Sequence, residues 1–257
     1  MTSMDSITLG DSTPRPVLEA RAVAKHYGHV QALRHATLQL LPGEIHAIVG
    51  DNGAGKSTLV KILSGAVAPS FGEVLIAGAP VKLASPIDAF SRGISTVYQN
   101  LALVGCRTIA ENVFLGHEPT RFGIVRRRYM EAEAERIVRG LRQMNVTDTR
   151  AKVADLSGGQ RQAVAIAREV GLGSRILILD EPTAALGVRE TQQVLAVIAD
   201  LKRAERSIIL VTHNLPAVFL LADRITVFRG GTSVGTVACA STSHDEIVKM
   251  ITGLEAA

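Results

Sequence analysis

The chain has 257 residues, 47% of them hydrophobic and 20% charged, with a formal net charge of +4. That length allows one large α/β domain or two modest ones with a sizeable core, in an ordinary globular composition. Aromatic residues make up only 4% and Trp is absent, too few rings for a platform that stacks single-stranded bases; the mild positive charge suits ATP, an anionic membrane surface or nucleic acid equally.

Met1 to Pro16 is rich in Ser, Thr and Asp and ends in Thr13-Pro14-Arg15-Pro16. It lacks an apolar run, so it reads as a disordered lead-in and neither a signal peptide nor an anchor. Val17 to Lys25 reads as a strand. Glu44 to Val49 is an apolar run that leads straight into a glycine-rich loop and a helix over Lys56 to Leu63, a strand-loop-helix order. A short strand over Glu73 to Ile76, a short helix over Pro86 to Ser91 and a β-branched strand over Ile94 to Tyr98 follow.

From about Asn100 to Val153 the character changes to charged and helical, which reads as an inserted subdomain. Within it Tyr129 to Met144 carries Ala132, Ile137, Leu141 and Met144 on one side, an amphipathic helix that begins at Arg126-Arg127-Arg128. Ser157 caps a second helix running to about Glu169. The final third alternates strand and helix over Ile176–Leu179, Val188–Arg203, Ser207–Thr212, Leu215–Ala222, Ile225–Phe228, Thr232–Val237 and Asp245–Thr252. Such alternation implies a mainly parallel sheet with helices on both faces and ligands at the carboxyl ends of its strands. The best apolar stretches are cut by Arg168, Arg175, Asp180 and Asp223, so no spanning helix is expected and the protein is predicted to be soluble or peripheral. Cys106 and Cys239 form no CxxC pair and the seven histidines no HExxH, so neither a disulfide framework nor a structural metal is predicted.

Gly50, Asp51, Asn52, Gly53, Ala54, Gly55, Lys56, Ser57 and Thr58 match GxxxxGK[ST] between a predicted strand and helix, the context a phosphate-binding loop requires. The glycines let backbone N–H groups turn inward onto a β-phosphate, the helix N-terminus adds favourable potential, Lys56 neutralises the β- and γ-phosphates, and Ser57 offers a hydroxyl to Mg²⁺. Arg175-Ile176-Leu177-Ile178-Leu179-Asp180-Glu181 is an apolar strand that delivers two acids to its end. By itself such an end serves equally as a solvated cap or a metal site. Beside the glycine loop, Asp180 is predicted to hold Mg²⁺ through its waters and Glu181, one residue on, to polarise the attacking water as general base.

Leu156-Ser157-Gly158-Gly159-Gln160 resembles the signature sequence of ABC ATPases, and that family's other stations follow in order. Tyr27 resembles the aromatic that stacks on adenine. Gln99 resembles the glutamine that contacts Mg²⁺ and senses the transmembrane partner, and His213 the switch histidine at the γ-phosphate. The resemblance spans Val17 to Gly253. It implies an α/β, P-loop NTPase fold of the ABC ATPase type: a mainly parallel core sheet, an antiparallel N-terminal β region and an inserted α-helical subdomain. It further implies one domain over 17–253, with core 17–99 and about 168–253, the helical subdomain at about 100–167, and 254–257 as a tail. Two cassettes of the family pair head to tail, so Ser157, Gly158, Gly159 and Gln160 would act in trans on the nucleotide held by a second cassette, most simply a second copy. In the family Ser-Ala-Leu-Asp usually follows Asp-Glu-Pro-Thr, whereas here Ala184-Ala185-Leu186-Gly187 does. The carboxylate missing at Gly187 normally spans the dimer interface, which implies slower or less cooperative hydrolysis.

Ala110-Glu111-Asn112-Val113-Phe114-Leu115-Gly116, followed by His117-Glu118-Pro119, and Ala184 to Glu190 resemble bacterial monosaccharide importers of the ribose, xylose and fructose group, in their single-cassette, fructose-type branch. That resemblance implies an ATP hydrolase using ATP and Mg²⁺ and driving a separate permease. It would be peripheral, at the cytoplasmic face of the bacterial inner membrane, and served indirectly by a periplasmic sugar-binding protein. The Arg126 to Arg128 triplet fits either anionic headgroups or a solvated helix start. Two other classes stay open: an exporter ATPase, since the motor is blind to direction, and a non-transport ABC ATPase acting on nucleic acid or ribosomes. The latter is disfavoured because long heptad arms, a second cassette and a basic tail are absent from the sequence, so no nucleic-acid partner is expected.

Overall fold

The computed structural model describes residues 14–141, 146 and 148–253. Most of the expected lead-in, the end of the helix expected at Met144 and the tail 254–257 lie outside these residues. The first half comprises β1 (Leu18–Tyr27), β2 (Val30–Leu40), β3 (Ile45–Gly50), α1 (Lys56–Leu63), β4 (Phe71–Ile76), β5 (Ala79–Val81), α2 (Pro86–Ser91) and β6 (Ile94–Val97). The insert holds α3 (Ile109–Val113), a hairpin of β7 (Thr120–Arg121) and β8 (Ile124–Val125), α4 (Arg127–Gly140) and α5 (Gly158–Gly171). The rest is β9 (Ile176–Asp180), α6 (Val188–Arg203), β10 (Ser207–Val211), α7 (Leu215–Leu221), β11 (Arg224–Arg229), β12 (Thr232–Ala238) and α8 (His244–Thr252).

The main sheet runs in the order β5-β4-β1-β2-β12-β11-β3-β10-β9-β6. β11, β3, β10, β9 and β6 pair in parallel, as the alternating pattern predicts. β1, β2, β4 and β5 pair antiparallel, and one parallel bridge between Thr232 and His35 joins the two parts. β12 departs from the alternation: it returns antiparallel to β11, because the two residues Gly230 and Gly231 between them are enough for a hairpin and far too few for a crossover.

β3 and β10 are buried along their whole lengths, the mark of strands covered on both faces. The pleat divides β9, the neighbour of β10, between two cores. Ile176 and Ile178 pack with Leu59, Ile62 and Leu63 of α1, while Leu177 and Leu179 pack with Ile166 of α5 and Ile198 of α6. The insert shares this second core. Ile109, Val113, Met130, Ala134 and Val138 of α3 and α4 lie in one apolar cluster with Val164 and Ile166 of α5, so α5 is the beam that couples insert to sheet.

The sequence pattern does not predict β2, and the reason is local. Its buried residues Leu33, Ala36, Leu38 and Leu40 begin at an interval of three and only then alternate. Register shifts in its pairing with β1 absorb the odd residue. The insert likewise is not purely helical, since it carries the β7–β8 hairpin with Phe122 almost fully exposed at its turn. α4 starts at Arg127 rather than Tyr129, and α5 runs on to Gly171.

Candidate active site

Four adjacent parallel strands, β3, β10, β9 and β6, end on one side of the sheet, and the residues just beyond those ends form a single cleft of about 410 Å³. From β3 comes the glycine loop. Gly50 closes the strand at φ +149°, where an added Cβ would stand 2.2 Å from the carbonyl oxygen of Phe228 on β11, so only glycine lets the loop leave here. The loop is tied from below by the N–H of Gly231, which donates to the carbonyl of Ala54 at 3.1 Å. Gly55 caps α1 without a side chain and its carbonyl accepts from Thr58 N–H at 3.1 Å, so the Lys56 and Ser57 N–H groups are the ones the helix start offers an anion.

Lys56 is buried, and its Nζ donates to the carbonyls of Gly50 at 2.7 Å and Asp51 at 2.9 Å. Burial holds its pKa below the usual ammonium range, against the opposing pull of the Glu181, Asp51 and Asp180 carboxylates. Asp180, at the end of β9, moves the other way. Burial raises its pKa first, the adjacent Glu181 carboxylate adds to that, and Lys56 and Lys61 oppose it. A cleft that strains both a buried ammonium and a part-buried carboxylate suits polyanions and cations better than neutral ligands.

Glu181 is held at φ +50°, a left-handed conformation rare for a residue with a side chain. Its N–H still donates to the carbonyl of Val211 at 2.8 Å, so the strand ladder persists while the side chain reaches Thr212 and His213. One carboxylate oxygen accepts from the Thr212 hydroxyl at 3.3 Å and the other lies 3.0 Å from Nδ1 of His213. A carboxylate can only accept, which places the ring N–H on Nδ1. The His213 side chain is 71% exposed, so the ring is free to exchange Glu181 for another anion.

Asn52, Gly53, Gly55, Lys56, Ser57, Thr58, Gln99, Asp180 and Glu181 therefore line one cleft, with Val30, Gln31 and Ala32 of β2 as its side wall. Gly50, Asp51 and Ala54 belong to the same loop but are not part of that lining, Gly50 and Ala54 being buried and Asp51 exposed. The Ser57 hydroxyl, the Gln99 amide oxygen and the Asp180 carboxylate are oxygen donors of the kind Mg²⁺ takes, and the raised pKa of Asp180 marks a charge that such an ion would compensate. Tyr27 stands outside the lining, at the end of β1 opposite Val30, half exposed, with Lys25 Nζ 5.3 Å from the ring centre.

Ser157, Gly158, Gly159 and Gln160 do not line this cleft. They begin α5, where the Ser157 hydroxyl accepts from Gln160 N–H at 3.3 Å and the Gln160 side chain accepts from Ser157 N–H at 3.0 Å, a reciprocal cap. A contact that the sequence pattern does not signal joins this segment to α6. Glu190, in the first turn of α6, accepts from Gly187 N–H at 3.2 Å and from Gly159 N–H at 3.4 Å. Its position three residues into a helix signals the first bond, but nothing in the sequence signals the second.

With the geometry described, likeness to known proteins is specific. The profile of the ABC transporter family matches residues 33–184. The fructose import ATP-binding protein of Rhizobium meliloti is 44% identical over 245 residues, which cover 93% of this chain and 94% of that protein. A ribose import ATP-binding protein of Rubrobacter xylanophilus is 46% identical over 241 residues, covering 93% of this chain and 47% of that protein; the chain spans about half the length of the ribose relatives it matches. Among solved structures, a nucleotide-free ATP-binding cassette from an ABC transporter superposes with a TM-score of 0.77 at 20% identity, over 93% of this chain and 95% of that one. A dimeric ATP-binding cassette in a post-hydrolysis state, bound to ADP and Pi, superposes with a TM-score of 0.71 at 25% identity, over 86% and 98%. Profile, full-length relative and fold agree, and the chain belongs to the ABC transporter family as an ATP-binding cassette.

Proposed function

We propose that this chain hydrolyses Mg-ATP as one half of a cassette dimer and thereby drives uptake of a monosaccharide through a separate permease, with a periplasmic sugar-binding protein delivering the substrate. The likeness to a fructose import ATP-binding protein over nearly its whole length carries the transport assignment. The cleft supplies the chemistry. Lys56 exchanges its loop carbonyls for the β- and γ-phosphates, and the open N–H groups of α1 hold the same oxygens. Bound Mg²⁺, held by Ser57, Gln99 and Asp180, would neutralise phosphate charge. Glu181 takes the proton of the attacking water, its carboxylate held beside Thr212 and His213. His213, parked on Glu181, turns to the γ-phosphate once nucleotide fills the cleft. Ser157, Gly158, Gly159 and Gln160 of a second copy close the site from the far side, and Tyr27 swings its exposed ring onto the adenine.

No helix among the described residues is long and apolar enough to cross a membrane, which fits a subunit held peripherally at the cytoplasmic face by its permease. Co-purification with a permease, followed by ATPase assay with a panel of sugars and their binding protein, tests the assignment. Stimulation by one monosaccharide is the expected result; a rate that stays flat across the panel, or is stimulated only by a molecule moved outward, would remove import.

Gly187 bears on coupling between the two sites. It begins α6 with φ −68° and ψ 168°, and a Cβ there would meet nothing nearer than a Glu190 oxygen at 3.9 Å. An aspartate therefore fits without backbone strain and caps the helix as well as glycine does, within about 0.5 kcal/mol. Gly187→Asp is expected to raise the ATPase rate roughly five-fold, at the low end of ordinary coupling, or to move the Hill coefficient toward the limit of two set by a pair of sites. Identical rate and cooperativity in steady-state assays would count against the inference drawn from the missing carboxylate.

A further inference from the structure

The N-terminus of α5 already carries an anion from its own chain. Glu190 joins two helix starts: one oxygen accepts from Gly187 N–H at the head of α6, the other from Gly159 N–H at the head of α5. Both heads carry the partial positive charge of their unsatisfied N–H groups. The Gly187 N–H, then the Gly159 N–H, and less so the Ser157 hydroxyl and Gly158 N–H, hold its carboxyl below the usual range. The approach is close enough that a side chain at Gly158 or Gly159 would press on Leu186 and Glu190. A Cβ at Gly159 would stand 3.1 Å from the Glu190 Cβ, and one at Gly158 would stand 2.8 Å from Leu186 Cδ2 and 3.4 Å from both carboxylate oxygens.

We propose that Glu190 is a charge gate on this half-site: its carboxylate occupies the Gly159 N–H and must give it up when the terminal phosphate of a nucleotide held by a second copy arrives. The inference rests on the reading above that Ser157 to Gln160 act in trans. One N–H cannot serve two strong acceptors, and a phosphate oxygen within reach of Gly159 N lies beside a carboxylate that is itself 3.4 Å from that nitrogen. The two anions repel. At 3.4 Å the bond to Gly159 is long for an N–H···O contact, so it is the one that gives way, while the shorter bond to Gly187 keeps the carboxylate tethered beside the incoming phosphate. Glu190 thus sets the nucleotide concentration at which two copies close. It also ties that threshold to the segment between Glu181 and Gly187, whose last N–H it holds.

Glutamine at 190 separates charge from structure, because its amide oxygen can accept from Gly187 as a glutamate does in a helix cap. In the full chain carrying Glu181→Gln to stop turnover, ATP is titrated with Mg²⁺ while dimer formation is followed by light scattering. Glu190→Gln is expected to lower the half-saturating ATP concentration about ten-fold, within the ordinary range of coupling between groups, with the difference shrinking at high salt. A purely structural cap predicts instead that Gln behaves as the parent and that only Glu190→Ala is impaired. An unchanged or raised half-saturation in Glu190→Gln, in a variant whose thermal unfolding matches the parent, overturns the gate. Failure of the parent to dimerise at any ATP concentration overturns the trans reading itself.

Discussion

Glu181→Gln is expected to slow ATP turnover by about 10²- to 10⁴-fold, the span a positioned general base supplies, while nucleotide affinity changes only a few-fold. The separation follows from geometry. Gln keeps the length of the side chain and an acceptor for the Thr212 hydroxyl, which lies 3.3 Å from the Glu181 carboxylate, but it cannot take a proton from water. In the proposed mechanism affinity rests mainly elsewhere, on Lys56 and the N–H groups at the head of α1. The left-handed backbone at Glu181, φ +50°, and the Glu181 N–H bond to Val211 involve main-chain atoms only, so the substitution leaves them in place. Phosphate release measured beside equilibrium nucleotide binding checks both halves. Full turnover with Gln at 181 would assign the base to another group, and a parallel collapse of binding would make Glu181 a ligand instead.

The second large effect is at Gly50. Gly50→Ala is expected to destabilise the fold by about 3 kcal/mol or more, at the upper end of what single substitutions do. An added Cβ would stand 2.2 Å from Phe228 O and 3.0 Å from its carbonyl carbon. Those are backbone atoms of β11, paired in register with β3, so relief requires parting two central strands. The φ of +149° adds strain of its own. Because the glycine loop starts at this residue, ATP binding should fall with stability. Urea unfolding monitored by circular dichroism reads the first effect and nucleotide titration of the folded fraction the second. Gly187→Ala, at an ordinary φ with nothing closer than 3.9 Å, is the clash-free control and should cost only the loss of a glycine helix cap, about 1 kcal/mol. Equal midpoints for Gly50→Ala and this control would show that β3 and β11 can part freely.

The features legible in the sequence are those encoded over a few consecutive residues. The glycine loop lies between β3 and α1 as its spacing predicts, because a tight turn and a helix start are local events. The apolar runs at β3, β9 and β10 announce strands buried on both faces, and Ser157 announces the start of α5 through a cap that needs only Gln160. Where the local pattern is broken, the reading is incomplete: β2 is recovered only when pairing with β1 absorbs its irregular spacing.

What the sequence by itself determined is therefore the list of parts: phosphate loop, acid pair, signature segment and parallel core. Tertiary structure decided their partners. Gln99, Asp180, Glu181 and Lys56 share a cleft because β6, β9, β10 and β3 are neighbours in the sheet, an order set by crossovers between strands far apart in the chain. It also placed Ser157 to Gln160 away from that cleft and brought Glu190 to Gly159. Hydrogen bonds and charge act through space at about 3 Å, and only packing determines which residues come that close.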